Sequence, residues 1–129
     1  MATIDELLAR SRTRLDRLTP EAALAEQSAG ALIVDTRCSE ARAELGAIPG
    51  SVHVPLSVLY WRLDPTSDYD DPALSDRGRR VIVVCADGFS SSLAAATLRD
   101  LGFERATDLD GGFSAWRAAG LPVETPRSG

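Results

Sequence analysis

The sequence predicts an α/β fold with a central, mostly parallel sheet and helices on both faces. Val81-Ile-Val-Val84 is a run of four β-branched residues with no polar face, the pattern of a strand buried on both sides. Ala31-Leu-Ile-Val-Asp35 is a second run of the same kind. Short apolar runs then alternate with segments of helical period along most of the chain, which implies strands joined by helical crossovers.

The elements follow in order. Thr3-Ile-Asp-Glu6 has the form of a capping box, and Ile4, Leu7, Leu8, Leu15 and Leu18 continue it at helical spacing, so a helix is expected from Thr3 to Leu18. Arg10, Arg12, Arg14 and Arg17 fall on its other face. They are expected to be solvated, the alternative being a docking face for an acidic partner. Thr19-Pro20 restarts a helix that runs to about Gln27 and stops at Ala29-Gly30. After the Ala31–Asp35 strand come a short helix over Ser39–Leu45, the turn Ala47-Ile-Pro-Gly50 and an alternating strand Ser51-Val-His-Val54. A helix is expected over Leu56–Leu63, and a surface loop rich in Asp, Pro and Ser over Asp64–Asp76. Beyond Val84, Ala94, Leu98 and Leu101 set out a helix face closed by Gly102. A strand over Glu104–Leu109, a turn at Asp110-Gly-Gly112 and a helix from Phe113 to Ala119 complete the pattern.

Composition narrows the function. At 129 residues with 44% hydrophobic content, the chain is large enough for one soluble domain with its own core. The net charge of −5 argues against nucleic acid or an anionic membrane as partner. No apolar run is long enough to span a bilayer and the polar N-terminus does not resemble a signal peptide, so a cytoplasmic location is expected. Two cysteines make no disulfide framework, and both are expected to be reduced. All the basic residues are arginine, which removes Schiff-base chemistry and a phosphate-loop lysine. His53 is the one histidine, and no Cys/His cluster has metal-ligand spacing, so neither metal nor cofactor is expected.

Chemistry concentrates at Cys85. It stands where the Val81–Val84 strand ends, and Ala86, Asp87, Gly88, Phe89, Ser90 and Ser91 carry the chain from it into the next helix. α/β sheets bind ligands at such strand ends, and a helix start favours a thiolate over a thiol. The alternative is a cysteine that is only a small buried hydrophobe.

At this point the sequence resembles the rhodanese-like domain family of sulfurtransferases. The likeness rests on Asp35-Thr-Arg37, on Ile48-Pro-Gly-Ser51 with Pro55, on Cys85-Ala-Asp-Gly88, and on Leu109-Asp-Gly-Gly112 through Trp116, Gly120 and Pro122-Val123. It implies a rhodanese-like domain over 19–124, with an N-terminal helical extension at 1–18 and a disordered tail at 125–129. It also implies a Cys85 persulfide that passes sulfane sulfur from a donor to a thiol or cyanide. The 86–91 loop would bind substrate and persulfide, and Asp35 and Arg37 would brace it. A non-catalytic rhodanese-like binding or regulatory module is the alternative.

Departures from the family's pattern sharpen the expectation. Many members carry a loop arginine where this chain has Ser90, and no basic residue lies between Cys85 and Leu98. Asp87 adds a carboxylate, which is expected to raise the Cys85 pKa and repel a dianion. This counts against thiosulfate, and a protein persulfide is expected as donor at least as readily as thiosulfate. Cysteine phosphatases and arsenate reductases need an arginine six residues after the cysteine, where Ser91 stands. A serine-hydrolase elbow fails because Gly88-Phe-Ser90-Ser-Ser92 lacks its second glycine. Cys38, also at a strand end, is a candidate resolving thiol for the persulfide.

Overall fold

The structure is a computed structural model that describes residues 1–126. Among these residues the sheet has four strands, β1 (Leu32–Asp35), β2 (Val52–His53), β3 (Val81–Val84) and β4 (Thr107–Asp108), in the order β2-β1-β3-β4. Every pairing is parallel, with Leu32 opposite Val81 and Asp35 opposite Val84. Alternate residues of the central strands enter two separate cores, as the period of two requires. Leu32, Val34, Val81 and Val83 pack with α4 (Leu59–Leu63) and α5 (Ser90–Asp100). Ile33, Ile82 and Val84 pack with α2 (Pro20–Ser28) and α6 (Gly112–Ala118), whose Phe113 and Trp116 are almost fully buried. The sheet thus has helices on both faces, as the unbroken apolar strands foretell.

Three elements differ from the sequence expectation. The N-terminal helix, α1, covers Ile4–Thr13 and lies along α5. The chain then unwinds because Leu15 packs into the core and Leu18 pairs with the sheet edge. The Leu18 N–H donates to Asp108 O at 3.1 Å, and its carbonyl accepts from the Asp110 N–H at 2.8 Å. That contact covers the open edge of β4. The strand expected from Glu104 begins only at Thr107, since the chain turns at 104–105 before joining β3. The helix expected over Leu56–Leu63 is a 3₁₀ turn at Leu56–Val58 followed by α4. The short helix α3 (Ser39–Leu45) stands as expected. Glu124 makes two backbone hydrogen bonds to Ala47, of 2.8 and 2.9 Å. Most of the expected disordered tail, residues 127–129, lies outside the described residues.

β1 feeds its connection toward β2 at one side of the sheet, while β3 feeds its connection toward β4 at the other. The outgoing chains diverge between the carboxyl ends of β1 and β3, the place where such sheets open a ligand crevice. Cys85 is the first residue beyond β3 there.

Candidate active site

The site is built by turning peptide groups around one sulfur. Cys85 is 7% exposed, and its Sγ accepts hydrogen bonds from the Gly88 N–H at 3.2 Å and the Ser91 N–H at 3.4 Å. The loop can point N–H groups inward because its carbonyls are held outward. The Phe113 and Ser114 N–H groups of α6 donate to Cys85 O and Ala86 O at 2.9 and 3.0 Å. Gly88 has φ +86°, and a Cβ there would lie 2.7 Å from the Gly111 nitrogen. Gly112, at φ +63°, leaves room for the loop in the same way, since a Cβ would lie 2.6 Å from Cys85 O. Only glycine fits at both positions.

Burial alone would push the Cys85 thiol up. Hydrogen bonding to the sulfur from Ser91, Ser90 and Gly88 outweighs it, so the thiol lies below its ordinary value. The expectation of a raised thiol, drawn from Asp87, is corrected, since the net direction is down. Asp87 is exposed, and its Oδ1 accepts the Ser114 hydroxyl at 2.8 Å. Ala86 and Phe89 are also exposed and form the rim.

Asp35 and Arg37 form a buried pair at the end of β1. Arg37 Nη2 donates to Asp35 Oδ2 at 2.8 Å and to Gly46 O at 2.7 Å. Its guanidinium lies 3.8 Å from the centre of the Phe113 ring. The His53 Nε2–H donates to Arg37 O at 2.7 Å, so the histidine stands behind this pair rather than at the sulfur. Cys38 precedes α3, is exposed, and is a free thiol like Cys85.

Sequence reasoning missed a second group. Arg12 Nη2 and Arg17 Nη2 both donate to Gly88 O, at 2.8 and 3.0 Å. Arg17 also donates to both oxygens of Asp108, which is fully buried, at 3.0 and 3.2 Å. The hydroxyls of Ser91 and Ser92 donate to Asp108 Oδ2, each at 2.8 Å. The expectation of a solvated arginine face therefore fails for Arg12 and Arg17. A sequence signal existed: Asp108 lies between Thr107 and Leu109 in a short strand of an apolar core, and a buried carboxylate calls for a cation.

Comparison with known proteins identifies the family. The profile of the rhodanese-like domain matches residues 19–119. The chain is 39% identical to the thiosulfate sulfurtransferase GlpE of Pseudomonas savastanoi over 88% of this chain and 96% of that protein. It is 42% identical to the protein of the same name from Stutzerimonas stutzeri, over 81% and 87% of the two chains. Among solved structures it resembles a Rhodopseudomonas palustris protein described as of unknown function and a possible tyrosine phosphatase. That likeness has a TM-score of 0.88 and 33% identity, over 96% of each chain. A thiosulfate sulfurtransferase from Pseudomonas aeruginosa matches with a TM-score of 0.69 and 29% identity, over 88% of this chain and 20% of that one. With the profile covering most of its length and the Cys85 loop in place, the chain belongs to the rhodanese-like domain family.

Proposed function

We propose that this rhodanese-type sulfurtransferase carries sulfane sulfur on Cys85 as a persulfide. The observation that carries the reading is the Cys85 sulfur held by two backbone N–H groups in a loop whose carbonyls face away. In the first half-reaction the thiolate attacks the outer sulfur of a donor. A new S–S bond forms, the donor's own bond to that sulfur breaks, and the leaving group keeps the electron pair. With thiosulfate, the substrate in the names of the GlpE relatives, the leaving group is sulfite. In the second half-reaction an acceptor thiolate or cyanide takes the outer sulfur and returns Cys85 as thiolate.

The inward N–H groups of Gly88 and Ser91 and the start of α5 stabilise negative charge on both the thiolate and the persulfide. Asp35 and Arg37 support the loop without reacting. A protein persulfide is an equally fitting donor, because no guanidinium lies inside the loop to hold a dianion. The same gap disfavours phosphate-ester hydrolysis. Ser91 occupies the position where that chemistry needs arginine, and its hydroxyl serves Asp108. The cycle requires reduced thiols, and we place the protein in the cytoplasm, with no role for nucleic acid or membrane. Among the described residues no helix is long and apolar enough to cross a bilayer.

The test is turnover of wild type and Cys85→Ser with thiosulfate and with 3-mercaptopyruvate, using cyanide or dithiothreitol as acceptor. Activity should fall to background in the variant, and donor-treated wild type should gain one sulfur atom on Cys85 by mass spectrometry. A wild type that never gains sulfur from these donors or from a protein persulfide is a binding module instead.

A further inference from the structure

We propose that Arg12 and Arg17 clamp the Gly88 carbonyl from outside the loop and so act as positioning residues for Cys85, a role that rests on the sulfur-transfer reading above. Gly88 is held at both ends of its peptide geometry, by the sulfur on one side and by the two guanidinium groups on the other. The Gly88 N–H donates to Cys85 Sγ at 3.2 Å, while its carbonyl accepts from Arg12 Nη2 at 2.8 Å and Arg17 Nη2 at 3.0 Å. With φ at +86° and no side chain, Gly88 has little of its own to hold this orientation. Two charge-assisted hydrogen bonds on the carbonyl fix it.

Arg12 also donates through Nε to Ser92 Oγ at 3.1 Å, in the first turn of α5. Arg17 is itself fixed by Asp108 and by Asp110, whose Oδ1 lies 3.1 Å from its Nη1. The charged groups gathered at the loop are therefore Arg12 from α1, Arg17 from the following segment, Asp108 and Asp110 from β4 and its turn, Asp87 tied to Ser114, and Arg37 on Phe113. Among the described residues Arg12 binds a carbonyl and a hydroxyl rather than a carboxylate, so it brings an unpaired positive charge to the loop. Arg17 lies close enough to feel the charge of the Cys85 thiolate.

Both arginines precede residue 19, where the family match begins. A loop without its own arginine is thus held by cations from outside the matched domain. In this position they bind backbone, not substrate, and order the N–H groups that face the sulfur.

The experiment reads Cys85 ionisation directly and needs no sulfur donor. Iodoacetamide alkylation of Cys85 is followed against pH in a Cys38→Ser background, for Arg12→Ala, Arg12→Lys, Arg17→Ala and Arg14→Ala. Arg14 is a control on the same segment, since its partner is the exposed Asp100 of α5. Arg12→Ala should raise the alkylation midpoint by about half to one unit, slowing alkylation below the midpoint about 3- to 10-fold. Arg17→Ala should raise it further, because it also leaves Asp108 without its cation. Arg12→Lys should recover most of the loss, and Arg14→Ala should superimpose on the parent. The clamp is overturned if the Arg12→Ala profile superimposes on the parent, or if Arg14→Ala shifts it as far. Should Arg17→Ala fail to fold, the Arg12 variants decide alone. Arginine-dependent ionisation in a protein that never forms a persulfide would uphold the clamp and sink the sulfur-transfer reading.

Discussion

Two buried arginine–aspartate pairs flank the Cys85 loop, and they are built in opposite ways. Asp35 and Arg37 are two residues apart, and their side chains are 2% and 3% exposed. Arg17 and Asp108 are 91 residues apart, with side chains 16% and 0% exposed. The local pair also bonds Gly46 O through Arg37 Nη2 and lays its guanidinium on Phe113, whose N–H holds Cys85 O. Its contacts therefore run to the floor beneath the loop. The distant pair reaches the loop itself, through Gly88 O and the hydroxyls of Ser91 and Ser92. One arrangement fixes where the strand ends lie; the other fixes which way the peptide groups near the sulfur face. Stability and reactivity should separate along this line.

The largest expected effect is on stability at the local pair. Arg37→Ala removes the fork of hydrogen bonds on buried Asp35 and leaves it the residue 37 N–H, at 3.0 Å from Oδ1, and Arg42, whose Nε donates to Oδ2 at 3.0 Å. Breaking such a pair costs about 3–4 kcal/mol. Arg17→Ala should cost less, about 2–3 kcal/mol, because Arg17 is closer to water and Asp108 keeps two hydroxyl donors. Urea unfolding of both variants measures the difference. A larger loss for Arg17→Ala would erase the division between floor and loop.

The pairs should also part company in pH. Burial pushes the Asp35 carboxyl up, but the Arg37 side chain and N–H and the Arg42 side chain outweigh it and hold it below its ordinary value. A lowered folded-state pKa gives stability that is present above the unfolded value of about 3.9 and lost as pH falls through the lower folded value. Asp35→Asn should therefore flatten the acid limb of a stability-against-pH curve. Cys85 is lowered as well, so its increment is complete above the unfolded thiol value of about 8.5 and is lost as pH falls through the folded one. Cys85→Ser should flatten the alkaline limb instead. Both slopes can be read from urea midpoints across pH, and a single limb that responds to both substitutions would show the regions to be one unit.

The same contrast explains what was legible in the sequence. The Cys85 loop and the Asp35–Arg37 pair are contiguous, so strand run, glycine and helix start mark them together. The sheet followed from the four-residue runs Leu32–Asp35 and Val81–Val84, each buried throughout. The Arg17–Asp108 pair was hidden because only the folded sheet edge, where Leu18 pairs beside β4, brings its halves together. Helical periodicity even pointed the wrong way. It projected a continuous helix to Leu18, while the chain unwinds after Thr13 and carries Arg17 to the loop. The bend is set by Leu15 and Leu18 finding tertiary partners, which outweighs local propensity.

The smallest expected effect concerns the two thiols, each beside one of the pairs. Cys38 directly follows Arg37, and the parallel register of β1 and β3 places both cysteines at the same edge of the sheet. Proximity in the fold is not enough for a resolving thiol, which must attack the inner sulfur of the persulfide and release sulfide. Cys85 Sγ is turned to Gly88 and Ser91 in a buried cradle, whereas Cys38 is exposed at the start of α3 and makes no capping hydrogen bond. Cys38→Ser should leave sulfide release from the Cys85 persulfide by dithiothreitol within about twofold of wild type, since an exposed substitution away from special features is worth at most about 0.5 kcal/mol. A clear slowing, with a Cys38–Cys85 disulfide trapped in the wild type, would show that the local region takes part in the chemistry and not only in its support.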